Sequence, residues 1–313
     1  MKKIALLFAG QGAQSVGMGK DLADTYPGAA ALFKRADEVL GRSISSIMFE
    51  GPDEELTKTI HCQPALYVHG LACLRALNDE VGDLMISAAA GLSLGEFTAH
   101  TAAGTFDFDT GLQLVAHRAA FMQEACEATS GAMAAMIGAD ENTVRDLAAQ
   151  TDVDVANLNS PGQVVISGEA TKVALAVSLA KEAGVRRAAT LNVAGAYHSR
   201  LMKSAYQKLA AILEQTPVGI PRFPVICNVD ALPVTDAGRI RETLREQVTS
   251  TVRWTESIEH LIDHEKIELF IELGPGKVIA GLVGRIQKEF PVISIGDVPS
   301  LKAGVERLKA EVA

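Results

Sequence analysis

Short runs of apolar residues alternate along this chain with longer stretches whose apolar positions repeat at helical spacing. Residues 4–8 and 84–90 have the length and continuous hydrophobicity of strands that are buried on both faces. Residues 94–103 and 111–127 have the longer period of helices. This alternation predicts an α/β fold whose main sheet is parallel.

The pattern changes between residues 130 and 193, where the segments follow the order strand, helix, strand, strand, helix, strand. This is the order of a ferredoxin-like unit. The predicted segments are 132–137, 141–150, 153–158, 164–167, 171–183 and 187–193, with Asn159-Ser160-Pro161-Gly162 as a turn. We therefore predict a small ferredoxin-like domain at 130–193, inserted into a large α/β domain formed by residues 1–129 and 194–313.

The larger alternation of strands and helices resumes after residue 193. Helices are predicted at 199–214, 237–247, 256–263, 277–288 and 301–311, and strands at 268–272 and 292–295. Another short strand lies in a link marked by Pro217, Pro221 and Pro224. A chain of 313 residues has room for both domains and buries enough apolar surface to fold without a disulfide or a metal.

The balance of charge narrows the classes of partner. There are 29 Lys and Arg against 38 Asp and Glu, so the formal net charge is −9 and we expect neither nucleic acid nor membrane as a partner. No apolar run is long enough to span a bilayer, and the apolar start breaks at Gly10, too early for a signal peptide. The four cysteines form no C-x-x-C pair, and so few cysteines are typical of a protein in a reducing cytoplasm. We expect a cytoplasmic protein that is a monomer.

The strongest chemical signal is the pentapeptide Gly91-Leu92-Ser93-Leu94-Gly95, a G-x-S-x-G sequence between a predicted strand and a predicted helix. Its glycines let the chain turn sharply, and the serine hydroxyl then lies at a helix N-terminus beside backbone N–H groups that stabilise an oxyanion. This pattern predicts a nucleophilic serine. The alternative is a glycine-rich turn in which Ser93 only caps the helix.

A serine nucleophile needs a general base, and His198 is the best placed of the seven histidines. It follows the last predicted strand of the insert and precedes a predicted helix, whose N-terminus keeps the ring a neutral base. The alternative is a solvated histidine. His260 and His264 lie one helical turn apart without a third ligand, so we expect a solvated helix face there and no metal site.

Two glycine-rich segments and one arginine complete the candidates. Gly10-x-Gly12 follows the first strand, but the third glycine of a dinucleotide fingerprint is missing. The segment 274–277 (GPGK) lacks the spacing and the Ser or Thr of a P-loop. Arg118 lies in an apolar helical stretch, where it either extends its guanidinium to water or pairs with a carboxylate. From the residues alone, extension to water is the preferred interpretation.

Taken together, these motifs resemble those of the malonyl-CoA:acyl carrier protein transacylase family, among the acyltransferases of fatty-acid and polyketide synthesis. The resemblance covers essentially the full length. The matching segments, in family order, are 10–14 (GQGAQ), 63–66 (QPAL), 91–96 (GLSLGE), 118–123 (RAAFMQ), 131–135 (GAMAA), 159–163 (NSPGQ), His198-Ser199, Gln247, Val252-Arg253-Trp254 and 272–277 (ELGPGK). Each is weak alone, but their order makes the match specific. The fold that it implies is an α/β-hydrolase-like large domain with a ferredoxin-like small domain.

The resemblance also implies a role for each matching residue. Ser93 attacks the thioester carbonyl of malonyl-CoA. His198, oriented by the main-chain carbonyl of Gln247, takes its proton and later activates the phosphopantetheine thiol of holo acyl carrier protein in a ping-pong cycle. No cofactor is implied beyond the coenzyme A thioester, which is substrate, and no metal. The other implied site residues are the oxyanion donors Gln11 and Leu94 and the substrate-binding residues Arg118, Gln63, Leu92, Met122 and Asn159.

In this family the role of Arg118 is to bind the free malonyl carboxylate, which reverses the preference for extension to water. Leu92 departs from the family pattern, which has histidine before the nucleophile, and so bears on acyl preference and rate. Leu94 and the segment 195–198 (GAYH) resemble malonyl-type members, and we predict malonyl as the acyl group. The alternatives are a serine thioesterase or hydrolase, a non-catalytic carrier-docking module, and the transacylase subunit of malonate decarboxylase.

Acyl carrier proteins are acidic, so docking on a chain of net charge −9 requires a local basic surface. We expect that surface at Arg186 and Arg187 on the small domain and at Lys277 and Arg285 on the large one.

Overall fold

The computed structural model describes residues 2–312 of the chain, which contain two β-sheets covered by helices. The strands are β1 (Ile4–Phe8), β2 (Ile86–Gly91), β3 (Gly131–Ile137), β4 (Asp154–Ser160), β5 (Gln163–Glu169), β6 (Arg187–Thr190), β7 (Val225–Ile226), β8 (Pro233–Val234), β9 (Leu269–Leu273) and β10 (Val292–Ile295). The predicted α/β fold class is confirmed.

The large sheet has six strands in the order β10-β9-β1-β2-β7-β8. Its first five strands are parallel, and β8 pairs antiparallel to β7 at the edge. Every residue of β1 and β9 is buried, as expected for central strands with helices on both faces. Because Phe8 pairs with Gly91, the carboxyl ends of β1 and β2 lie side by side. This edge is where open α/β sheets place their ligands.

Fourteen α-helices lie within residues 2–312. They are α1 (Lys20–Thr25), α2 (Pro27–Leu40), α3 (Ile44–Glu50), α4 (Asp53–Thr57), α5 (Thr59–Val81), α6 (Leu94–Ala102), α7 (Phe108–Glu127), α8 (Glu141–Gln150), α9 (Ala170–Leu179), α10 (Lys203–Gln215), α11 (Ala237–Glu246), α12 (Trp254–Asp263), α13 (Val278–Ile286) and α14 (Val298–Val312). Within the described residues, none of them is both long and apolar enough to cross a membrane.

The small sheet consists of four antiparallel strands in the order β4-β5-β3-β6. With α8 and α9 this is the strand order of a ferredoxin-like unit. Residues of one face, such as Met136 and Ile166, pack with α8 and α9 in a core of their own. The opposite face carries Met133 and Val165 and points toward the carboxyl edge of the large sheet. The predicted domain boundaries at 130 and 193 stay a prediction.

Five helices occupy residues 20–81, a stretch for which the sequence pattern yields no element. The longest of them, α5, is buried along most of its length and contains Pro64. A helix that is apolar on all sides shows no amphipathic period, and an internal proline argues against a helix, so both usual signals fail there.

Three segments differ from their predictions around the small sheet. The predicted four-residue turn is shorter, because Asn159 and Ser160 end β4 and only Pro161 and Gly162 connect it to β5. β6 ends at Thr190, after which one more backbone hydrogen bond joins the N–H of Leu191 to the carbonyl of Met133 in β3. Leu191, Val193 and Tyr197 then line the cavity at Ser93. The helix predicted at 199–214 is a 3₁₀ turn, capped by the Ser199 side chain, followed by α10.

Candidate active site

The turn from β2 into α6 carries Ser93 at the carboxyl edge of the large sheet. The backbone of Ser93 has a φ of 53°, in the left-handed region that residues other than glycine rarely adopt. A Cβ on Gly91 would lie 1.8 Å from the carbonyl carbon of Gly95, and a Cβ on Gly95 would lie 2.3 Å from the oxygen of Phe8. Only glycine fits at either position, so the two glycines of the motif allow the tight packing that projects the serine.

A buried asparagine holds this strained turn in place. Asn228, which follows β7, accepts a hydrogen bond from the backbone N–H of Ser93 at 2.7 Å and donates to the carbonyl of Gly91 at 2.8 Å. It is fully buried, so both bonds are shielded from water. Asn228 therefore compensates for the positive φ of Ser93 by satisfying the backbone groups on both sides of the turn.

His198 lies against Ser93 in an orientation that defines its tautomer. Its Nδ1 is 2.8 Å from the main-chain carbonyl of Gln247, which can only accept, so Nδ1 carries the proton. Its Nε2 is 2.8 Å from Ser93 Oγ and is therefore the acceptor of the serine proton. This is the nucleophile–base–orienter arrangement of an activated serine, with a carbonyl as the orienting group.

The environment of His198 keeps the ring neutral. Burial, helped by the nearby positive charge of Arg118, lowers the pKa of His198 to about 4, although the hydrogen bond to the Gln247 carbonyl acts in the opposite direction. At neutral pH the ring is thus an unprotonated base. The backbone of His198 also has a positive φ of 55°, where the chain turns into the 3₁₀ segment.

Arg118 is buried, so the interpretation that it extends to water is wrong. Its Nη2 donates to Ser93 Oγ at 2.9 Å and to Gln247 Oε1 at 2.9 Å, and its Nη1 donates to Gln63 Oε1 at 2.6 Å. Burial lowers the pKa of Arg118 to about 10, which leaves it cationic at neutral pH, and the charge of Glu96 acts in the opposite direction. Its hydrogen-bond partners lie 25 to 129 residues away in sequence. The spacing of apolar residues within one helix cannot predict contacts at that separation.

The two residues expected to form an oxyanion hole flank Ser93. Gln11 follows β1 and Leu94 opens α6, and both line the cavity at Ser93. Within residues 2–312, neither backbone N–H has a hydrogen-bond acceptor, so both are free to donate. The Gln14 side chain accepts from the backbone N–H of Gly12 at 2.7 Å and from the Cys62 thiol, which fixes the loop that carries Gln11.

A cavity of about 160 Å³ opens in front of the serine, between the two sheets. This is close to the volume of a cavity that holds one benzene-sized molecule, roughly 150 Å³, so it suits a small acyl group. The remaining predicted substrate residues, Gln63, Leu92, Met122 and Asn159, all line it. The oxygen Oδ1 of Asn159 is buried there without a hydrogen-bond partner.

The four predicted docking residues are exposed, lie on or next to β6 and α13, and do not line this cavity. In the small sheet, Gln163 pairs with Ile137, and Ile137 pairs with Arg187. The three side chains therefore lie on the sheet face that lines the cavity and extend this face outward. Arg285 donates to the Gln163 side chain from α13. Arg186 and Lys277 are exposed as well.

Two buried residues that the sequence interpretation left without a role belong to the same network. Glu96 Oε2 accepts from the backbone N–H of Asn228 at 3.0 Å and from Gln247 Nε2 at 2.6 Å. The available signals were a charged residue in the apolar start of α6 and an asparagine directly after a strand.

His260 and His264 stack on each other, and no metal-ligating group of three His, Cys, Asp or Glu occurs within residues 2–312.

Comparison with known families and sequences gives one consistent result. The profile described as "Acyl transferase domain" matches residues 5–305 of the chain. The chain is also 43% identical to the malonyl CoA-acyl carrier protein transacylase of Bacillus subtilis (strain 168), over 99% of each chain.

Solved structures agree with the sequence matches. An acyl-carrier-protein-S-malonyltransferase from Bartonella henselae is 37% identical and superposes with a TM-score of 0.94, covering 98% of this chain and 99% of that one. A malonyl-transacylase in complex with its holo type II polyketide-synthase acyl carrier protein is 39% identical, with a TM-score of 0.93 over 97% of this chain and 99% of that one.

Proposed function

Because the chain belongs to the acyl transferase domain family, we propose that it transfers a malonyl group from malonyl-CoA to the phosphopantetheine thiol of an acyl carrier protein, for fatty-acid synthesis. The observation that carries this proposal is the double contact on Ser93 Oγ. A neutral imidazole nitrogen lies 2.8 Å from this oxygen and a buried guanidinium nitrogen lies 2.9 Å from it. One contact suits a nucleophile, and the other suits an acyl group with its own negative charge.

In the first half of the reaction, Ser93 Oγ attacks the malonyl thioester carbonyl while His198 Nε2 takes its proton. The carbonyl of Gln247 stabilises the imidazolium that forms, because it accepts from Nδ1. The free N–H groups of Gln11 and Leu94 are the donors for the oxyanion. The proton then passes from His198 to the leaving thiolate of coenzyme A, which leaves a malonyl ester on Ser93.

Arg118 selects the acyl group. A malonyl ester on Ser93 carries its free carboxylate only a few bonds from Oγ, within reach of the guanidinium that already contacts that oxygen. The fork of an arginine binds a carboxylate through two hydrogen bonds. An acetyl group would leave the buried guanidinium without a carboxylate in direct contact, so the site disfavours it.

In the second half, His198 takes the proton of the carrier's thiol, and the thiolate attacks the malonyl ester on Ser93. The ester must persist until the carrier arrives, which requires that water is kept from it. Leu92, Met122 and Val165 form an apolar part of the cavity wall, which offers an attacking water molecule no hydrogen-bond partner. The coenzyme A thioester is thus a substrate, and the cycle needs no further cofactor.

The carrier docks on a basic surface patch that continues outward from the cavity-lining face of the small sheet. Arg187 and Arg285 lie on either side of Gln163 at the outer end of the cavity-lining face, and Arg186 and Lys277 extend the positive surface. A local patch of this kind attracts an acidic partner although the whole chain is acidic.

The four cysteines are free and buried, which supports a reducing cytoplasm as the site of action.

Intact-mass spectrometry tests the proposal directly. The protein is mixed separately with malonyl-, methylmalonyl- and acetyl-CoA, and Ser93→Ala is treated in the same way. We expect a malonyl adduct on the parent protein, a much weaker acetyl adduct, and no adduct on Ser93→Ala. A parent protein that stays unmodified by malonyl-CoA would contradict the proposal, as would an adduct of equal yield on Ser93→Ala.

A further inference from the structure

The side-chain amide of Gln247 lies between a buried anion and a buried cation. Its Oε1 accepts from Arg118 Nη2 at 2.9 Å, and its Nε2 donates to Glu96 Oε2 at 2.6 Å. All three residues are almost completely buried. The charges fix the orientation of the amide, because a flipped amide would present N–H groups to the guanidinium and oxygen to the carboxylate.

The same residue contacts the catalytic pair. Gln247 Nε2 also donates to the backbone carbonyl of Ser93 at 2.9 Å, and the main-chain carbonyl of Gln247 orients His198. Any rotation of the Gln247 side chain would therefore disturb the anion-binding arginine and the backbone of the nucleophile together. Glu96, Arg118 and the Ser93 carbonyl together hold that side chain in place.

Glu96 is also the charge that balances Arg118. Within residues 2–312, no carboxylate lies within 4.0 Å of the Arg118 guanidinium, so the anion acts at longer range and through the Gln247 amide. Burial raises the pKa of Glu96 to about 7, while the Asn228 N–H, the Gln247 amide and the Arg118 charge act to lower it. Perturbed carboxyls of this kind cluster at functional sites.

We infer that Glu96 is a positioning residue, which acts through the Gln247 side-chain amide to hold Arg118 and the Ser93 turn in the arrangement needed for acyl transfer. The inference rests on the proposed function, since it concerns the rate at which Ser93 is acylated. It assigns Glu96 no contact with substrate.

The arrangement has a consequence for pH dependence. The charged groups facing Glu96 are Arg118 on α7 and Asp230 in the loop after β7, and the neighbouring Cys227 thiol is neutral because burial raises its pKa to about 11. As pH falls through about 7, Glu96 takes up a proton, its hydrogen bond to the amide weakens, and Arg118 loses its counter-charge. His198 remains neutral through this range, since its pKa is about 4.

The test is single-turnover acylation of Ser93 by malonyl-CoA, measured by quench and intact mass from pH 5.5 to 8.5. The variants are Glu96→Gln, which keeps the shape but not the charge, and Glu272→Gln as a control. Glu272 is an equally buried carboxylate, but it binds the N-terminus of α13 and Ser294 instead of the active site. The readout is the ratio of wild-type to variant rate at each pH.

For Glu96→Gln we expect the ratio of wild-type to variant rate to be about ten at pH 8.5, because the variant lacks one charged hydrogen bond. The ratio should shrink to about two at pH 5.5, because the wild-type carboxyl is then protonated as well. For Glu272→Gln we expect a ratio that is constant with pH. A constant ratio for Glu96→Gln, or no loss of rate, would overturn the inference. Failure of wild type to form any malonyl adduct would instead overturn the proposed function.

Gln247→Met keeps the inference testable if Glu96→Gln does not fold. Methionine retains the main-chain carbonyl that orients His198 but removes the amide that joins Glu96 to Arg118. We expect slower acylation and loss of the acid limb centred near pH 7. An acid limb that persists unchanged in Gln247→Met would show that Glu96 does not act through this amide.

Discussion

The two walls of the active-site cavity are built in different ways. The wall formed by the large sheet and its helices carries a continuous buried network in which Ser93, Arg118, Gln247 and Glu96 bond to one another. The wall formed by the small sheet is mostly apolar, with Asn159 as a polar group whose oxygen has no partner. The first wall is organised before substrate arrives, whereas the second contributes mainly apolar surface. We therefore expect chemistry to depend on the large-sheet wall, and fit and docking on the small-sheet side.

The most severe break in the large-sheet wall is removal of the base. We expect His198→Ala to slow acylation by about 10³-fold, because Ser93 loses its proton acceptor. His69→Gln is the matched control: burial also lowers the pKa of His69 to about 4, but its ring bonds to the carbonyl of Gly296 away from the site. Rapid-quench acylation should separate the two variants, and a loss of less than tenfold in His198→Ala would argue against its role.

Removal of the cation should change selectivity more than folding. We expect Arg118→Ala to reduce the preference for malonyl-CoA over acetyl-CoA by about 10²-fold in kcat/KM, because the carboxylate loses two charged hydrogen bonds. Arg118→Lys retains the charge without the planar fork and should give an intermediate ratio. Competition between the two thioesters, followed by intact mass, measures this; an unchanged ratio in Arg118→Ala would exclude carboxylate recognition by that residue.

Charge reversal at the outer end of the small-sheet wall should slow only the second half of the reaction, the transfer of malonyl to the carrier. We expect Arg187→Glu combined with Arg285→Glu to raise the carrier's KM about tenfold at low salt, with a smaller difference at high salt. Acylation by malonyl-CoA should stay within about threefold of wild type. Arg145→Glu combined with Lys172→Glu, on the helices α8 and α9 that cover the other face of the small sheet, is the control of equal charge change. Equal effects of the two double variants would mean that docking lies elsewhere.

The smallest effect is expected inside the small-sheet wall. Asn159→Ala removes a single hydrogen-bonding group from the cavity, and we expect about a fivefold loss in kcat/KM for malonyl-CoA with little change in thermal stability. Asn142→Ala, an exposed change at the start of α8, provides the baseline. Steady-state kinetics of both variants decide whether the Asn159 side chain contributes to substrate binding, and equal kcat/KM values for the two variants would show that it does not.

The sequence was informative wherever chemistry follows from local pattern. Ser93 lies in a strand–turn–helix motif that only glycines permit, and the ferredoxin-like order is visible in the alternation of residues 130–193. The side chain of Arg118 was misjudged from residues alone because its anchor Gln247 is 129 residues away. The resemblance to a family corrected that interpretation, since a family carries information about distant partners.

What the sequence did not reveal is the support behind the reacting groups. The orienting group of His198 is a main-chain carbonyl, which any residue could supply, so no side-chain pattern marks it. Glu96 and Asn228 meet across 132 residues and acquire their meaning only when α6 and the end of β7 are packed together. Helix α5 was missed for a related reason, because burial on all sides removes the periodicity that marks a surface helix.

The central claim is that Ser93 holds a malonyl group for transfer to a carrier thiol and not to water. The most direct test isolates the malonyl-Ser93 protein free of coenzyme A and follows its discharge in buffer alone and with holo acyl carrier protein. We predict an adduct that is stable in buffer and discharged at least 10²-fold faster by the carrier, with malonyl-carrier as product. Free malonate released at the same rate with and without carrier would contradict the claim and identify a hydrolase.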